Sequence, residues 1–211
     1  MGETEPQQDR LTIYADYVCP FCYLGRESLK RYRETREEPL ELDWQPFDLR
    51  SGKRDPDGEI DHGVDDGKDD QYFEQARENV ERLKEEYDAE MAQEIAREVD
   101  SLPAQLASFY VKESHPEKWP AFDEAIYAAL WQEGRDIGDR DVLADICEDV
   151  GLDSEAVLAA SEGEDLRAHL DEQFAAARER GVTGVPTFVY AGQAAGGAVP
   201  PEQLERLVEG V

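Results

Sequence analysis

Cysteine is scarce in this chain: three in 211 residues, alongside two methionines and three histidines. So few sulfur and imidazole ligands leave no spaced Cys/His set for a structural zinc site, and they argue against a scaffold stapled by several disulfides. Positive charge is scarce too. Against 51 Asp and Glu stand 22 Lys and Arg, a formal net charge of -29, and only six of those bases are lysine. Such a surface repels nucleic acid, whose binding depends on Lys and Arg contacts to phosphate. No apolar run reaches the length of about 18 residues expected of a membrane span. The opening MGETEPQQDRLTIY has no basic start, apolar segment or small-residue cleavage site, so no secretory leader is expected. These absences point to the cytoplasm, where thiols are kept reduced and a disulfide is transient rather than structural.

Apolar residues still make up 40% of the chain, enough for a buried core. The acidic excess is spread along the whole sequence rather than gathered in a tail. It repels itself in the compact state unless salt screens it, and at about 1 M salt the Debye length is only about 3 Å. In this respect the composition resembles that of cytosolic proteins from salt-loving microbes.

The hydrophobic pattern begins with LTIYA (11–15), a short β-forming run. From Pro20 the period becomes helical, with Phe21, Leu24, Gly25, Ser28, Leu29 and Tyr32 on one face. LELDW (40–44) then alternates Leu40, Leu42 and Trp44 with Glu41 and Asp43, as a strand with one buried face does. Residues 51–70 are almost without apolar side chains. Their Asp55, Pro56, Asp57 and Gly58 misplace the glycine of a calcium loop, so the segment is expected to be a solvated loop.

Residues 71–180 carry helical stripes: Phe73, Ala76, Val80, Leu83 and Tyr87; Ala121, Ala125, Ala128 and Ala129; Leu143, Ile146, Cys147 and Val150; Phe174 and Ala177. Gly151 and Gly181 sit where helices would stop. Trp119, Trp131 and Cys147 fit a core. The C-terminal stretch returns to strand at Thr187–Tyr190, turns near Gly192–Gln193, and ends in a helix opened by Pro200 and Pro201 with Leu204, Leu207 and Val208 inward. The expected organisation is a βαβ unit (1–50), an acidic loop with a helical insertion (51–180), and a ββα unit (181–211).

The chemistry concentrates in YVCPFCYLG. Cys19 and Cys22 lie one helical turn apart at a helix start. A metal site would need ligands that nothing nearby supplies, and a disulfide closing so short a loop removes little chain entropy. Thiol–disulfide exchange has a positive cause. Unpaired amides and the helix dipole favour a thiolate at Cys19, and thiols so placed can have pKa values of about 3.5 to 7. Cys22 faces the same side and can attack a mixed disulfide formed at Cys19.

Four segments carry a family likeness: DYVCPFCYLG (16–25), VDSLPAQLA (99–107), GRDIGDRDVLADICEDVGLD (134–153) and GVTGVPTFVYAGQAAGGAVPPEQLERLV (181–208). On these the chain resembles the DsbA family of the thioredoxin superfamily, and within it the FrnE-like cytoplasmic branch. The resemblance implies an α/β thioredoxin-like fold interrupted by a large all-helical insertion. It also implies a thiol–disulfide oxidoreductase that binds no cofactor and works through a redox-active Cys19–Cys22 disulfide, on protein or low-molecular-weight thiols and disulfides. Cys19 matches the nucleophile and Cys22 the resolving thiol. Pro20 and Phe21 match the dipeptide that tunes the couple. Pro186 matches a cis-proline facing the pair, and Val185 the residue whose backbone pairs with a bound peptide. The Pro-Phe dipeptide lacks the histidine some members carry, which suits reductase or isomerase work. Two other functions share the outline: a glutathione-dependent isomerase resembling 2-hydroxychromene-2-carboxylate isomerase, which uses serine in place of Cys19, and a non-enzymatic peptide-binding or holdase module. The flanking charges Asp16 and Arg26 could adjust the field at the motif, although charges beside a site are usually only solvated.

Overall fold

The structure, a computed structural model, describes residues 10–55, 58–61, 63–65 and 67–210. Residues 1–9 and 211 and, in the acidic segment, Pro56, Asp57, His62 and Asp66 lie outside the described residues. Strand β1 (Arg10–Ala15) pairs in parallel with β2 (Glu41–Pro46), Leu11 opposite Leu42 and Ile13 opposite Trp44. Helix α1 (Pro20–Thr35) makes the crossover between them. On its other edge β1 pairs antiparallel with β3 (Thr187–Tyr190), and β3 with β4 (Gln193–Gly196). The order is therefore β2-β1-β3-β4, with strands from both ends of the chain meeting at β1. The last helix is α8 (Pro201–Glu209).

Strand alternation divides the core. Leu11 and Phe188 point to the face covered by α1 and α8, with Leu29, Tyr32, Leu204 and Val208. Tyr14 points to the opposite face, where it meets Phe47, Ala177 and Val182. The β3–β4 turn is Ala191–Gly192, both at positive φ (48° and 80°), one residue earlier than the sequence suggested. This is the primed geometry that a two-residue hairpin requires.

Between β2 and β3 lie α2 (Asp70–Glu86), α3 (Leu102–Ser114), α4 (Trp119–Trp131), α5 (Arg140–Asp149), α6 (Ser154–Ser161) and α7 (Glu164–Glu179). This is the helical insertion of a thioredoxin-like fold. Glycines at positive φ end α5 and α7, Gly151 at 71° and Gly181 at 83°. The alanine stripe of α4 needs correction. Ala121 is exposed, and the buried face is Phe122, Ile126, Ala129 and Leu130. Large side chains outweigh alanines in deciding which way a helix turns, because burial scales with apolar area. Helix α7 belongs to two layers: Phe174 packs with Leu102 and Phe109 of α3, and Ala177 covers the sheet.

The acidic segment is not simply a solvated loop. A turn of 3-10 helix at Ser51–Lys53 leads into an isolated antiparallel bridge between Arg54 and Ile60. The Arg54 side chain is 6% exposed and joins Asp48 at 2.7 Å to Asp100 at 2.7 Å. It also donates to the carbonyl of Gly58 at 2.9 Å, so one guanidinium ties the segment to the start of α3.

Candidate active site

Cys19 is the N-cap of α1, in extended backbone (φ -89°, ψ 113°), with Pro20 at the first helical position. Its carbonyl accepts from the Cys22 amide at 3.0 Å, and its own amide donates to the Asp16 carbonyl at 3.1 Å. The two sulfurs therefore share one turn of one helix. All three cysteines are free thiols. Cys19 makes no side-chain cap hydrogen bond to the α1 amides. As a thiol it is a donor, and its Sγ points instead to the Val185 carbonyl, 3.5 Å away in the loop before β3. Both residues are nearly closed off from solvent, Cys19 at 4% and Cys22 at 3% exposure.

The loop before β3 completes the site. The Val185–Pro186 peptide bond is cis, and Pro186 is buried. The Pro186 carbonyl accepts from the Gly197 amide at 2.8 Å, which ties the loop to the end of β4. Gly25 lets α1 come this close: a Cβ there would meet Pro186 Cγ and Phe188 Cζ, each at 3.2 Å. A cavity of about 590 Å³ opens over the thiol, with Cys19, Pro20, Phe21 and Val185 in its wall. Cys22 and Pro186 sit behind that wall rather than in it.

The Cys22 thiol is pushed well up. Burial is the first cause, followed by its hydrogen bond to Cys19 and by the Cys19 charge, with the Asp16 charge also contributing. Asp16 is not a solvated flanking charge: it is fully buried. Its carboxylate accepts from the amides of Leu49 at 2.9 Å and Val18 at 3.3 Å. Burial still outweighs these bonds and raises it to about 6. Arg26 is likewise engaged. It pairs with Asp123, whose side chain is 3% exposed, and lies over the Tyr127 ring at 4.9 Å. Asp123 also accepts from the Tyr17 hydroxyl at 2.8 Å, so the motif is pinned to α4. The burial of Asp16 and the pairing of Arg26 with Asp123 are what sequence reasoning did not foresee, because both depend on residues distant in the chain. Cys147 is core: it lies with Leu143 and Ile146, and burial pushes its thiol up to about 11.

A family model described as the DSBA-like thioredoxin domain matches residues 10–209. The uncharacterised protein YwbO of Bacillus subtilis is 27% identical over 206 residues, covering 94% of this chain and 94% of that one. Among solved structures, a probable DsbA oxidoreductase from Streptomyces coelicolor superposes with a TM-score of 0.75 at 21% identity, covering 95% of this chain and 90% of that one. A 2-hydroxychromene-2-carboxylate isomerase superposes with a TM-score of 0.73 at 20% identity, covering 95% and 93%.

Proposed function

Because the chain belongs to the DSBA-like thioredoxin domain family, we propose that it is a thiol–disulfide oxidoreductase of the FrnE-like branch, working in a salt-rich cytoplasm through Cys19 and Cys22. The observation that carries this is the placement of Cys19 at the helix start, 3.5 Å from the Val185 carbonyl, with Cys22 one turn behind it. The Cys19 thiolate attacks one sulfur of a disulfide R–S–S–R. That bond breaks, RS⁻ leaves with the electron pair, and a Cys19–R mixed disulfide forms. Cys22 gives up its proton and attacks the Cys19 sulfur, expelling the second RS⁻. The protein is left with a Cys19–Cys22 disulfide, and R–S–S–R has taken up two electrons. An external dithiol restores the pair. The raised Cys22 thiol supports this division of labour, since only the thiolate attacks.

Val185 and Pro186 shape the groove where the substrate backbone lies, and Pro20 with Phe21 tune the couple toward reductase or isomerase work. The isomerase likeness reaches the fold alone, and a resolving thiol at Cys22 favours exchange over isomerisation. A holdase would bind clients without either thiol. In about 1 M KCl, the wild-type protein is expected to accelerate reduction of insulin disulfides by dithiothreitol, and Cys19→Ser to abolish the acceleration. Equal acceleration by Cys19→Ser would overturn the reading.

A further inference from the structure

We propose that the cleft over Cys19 selects small disulfides bearing carboxylates, with the Arg50 guanidinium as their anchor. The inference rests on the oxidoreductase reading and names its substrate class. Among the described residues the cavity wall carries Arg50, Lys53, Lys68 and Arg97 against one acidic residue, Glu98, in a protein that is otherwise strongly anionic. The chain as a whole carries 51 acidic residues to 22 basic. Of the four Lys and Arg residues from 50 to 68, Arg50, Lys53 and Lys68 line the cleft and Arg54 turns away to Asp48 and Asp100.

Arg50 stands out among them. It is partly buried, and its guanidinium donates to the Ala96 carbonyl at 2.6 Å. No carboxylate among the described residues forms an ion pair with it. Burial pushes this guanidinium down from its ordinary value, against the opposing pull of the Asp16, Asp100 and Glu98 charges, none of which contacts it. A desolvated cation with donors to spare is a natural partner for a carboxylate, which it can hold in a bidentate pair. Size points to a small ligand. The cavity of about 590 Å³ suits a compact molecule.

Bulk charge works the other way. A net charge of -29 repels anions at long range. At about 1 M salt that repulsion is screened within about 3 Å, while a contact pair in a partly buried cleft is screened much less. Selectivity for anions in high salt would therefore report the cleft and not the surface.

The test uses the full chain, pre-reduced and freed of reductant, in about 1 M KCl. It is mixed with excess dithiodipropionate (anionic), hydroxyethyl disulfide (neutral) or cystamine (cationic). Loss of protein thiols, read after acid quench by maleimide mass-tagging of the separated protein, gives each rate constant, which is divided by that of the same disulfide with dithiothreitol. The dicarboxylate is expected to exceed the neutral disulfide by about tenfold, the order of one charge-assisted contact, with cystamine slowest. Arg50→Gln should bring the anionic-to-neutral ratio close to one, and Arg50→Lys should keep part of it. If the Arg50 variants do not fold, the wild-type series still decides, and Arg97→Gln should lower the same ratio by a smaller factor. Normalised rates independent of charge in the wild type, or a ratio untouched by Arg50→Gln, would overturn the proposal. Failure of the oxidoreductase reading would look different: none of the three disulfides would oxidise the Cys19–Cys22 pair.

Discussion

Asp16 illustrates how much depends on a single buried carboxyl. Its folded pKa is raised to about 6 from 3.8, first of all by burial. Between those values the folded state keeps a proton that the unfolded chain has already released. Stability therefore falls as pH rises through this window, and the loss is complete above about pH 6. Asp16→Asn removes the titration. Relative to wild type, the variant should gain on the order of 2 kcal/mol between pH 4 and pH 7. Urea unfolding at constant salt measures this, and a difference that stays flat with pH would contradict it. The Asp16 charge also helps keep Cys22 in its neutral form. Nothing in the sequence separates Asp16 from the exposed carboxylates around it. Its burial is created by residues far along the chain, including Leu49, whose amide it binds, and Ser101, whose side chain opposes the upward shift of its pKa. Cys19 and Cys22 were legible because spacing within one helical turn is a local property.

Elements were most legible where local chemistry fixes their ends. Asp69, Asp139 and Asp153 each accept a hydrogen bond from an amide in the first turn of α2, α5 and α6, and prolines open α1 and α8. These are signals that a chain carries in single residues. The acidic segment carried no such signal for its turn of 3-10 helix and its bridge. Its anchor, Arg54, sits between aspartates 6 and 46 positions away. Arg54→Ala would leave Asp48, 3% exposed, without its cation. We expect a loss of about 3–5 kcal/mol in urea unfolding, the cost of breaking a buried pair, together with faster amide exchange in residues 51–61. A loss below about 1 kcal/mol would place the pair with ordinary surface bridges. The misread stripe of α4 has the same origin. Periodicity identifies a helix, but the face it buries is chosen by the partners it meets, here the Tyr17 ring tilted against Tyr127 with centroids 4.8 Å apart and Trp131 donating to the Tyr17 carbonyl at 2.9 Å.

For the molecule as a whole, charge sets the conditions of stability. With a net charge of -29, self-repulsion opposes the compact state, and chloride salts of potassium should raise the melting temperature steadily from about 0.1 M to about 2 M by screening it. A melting temperature insensitive to KCl would show that the repulsion is already balanced by local pairing. No helix among the described residues is long and apolar enough to cross a membrane. The sequence by itself determined the strand–helix–strand opening, the helical insertion, the β-hairpin and the dithiol at a helix start, because period, capping and spacing act within a few residues. Only the tertiary structure decided that β1 is shared by both ends of the chain, that Val185 faces Cys19, and that Asp16 is buried while Arg50 lines the cleft. Burial and charge pairing are sums over neighbours distant in the chain, and only folding brings those neighbours together.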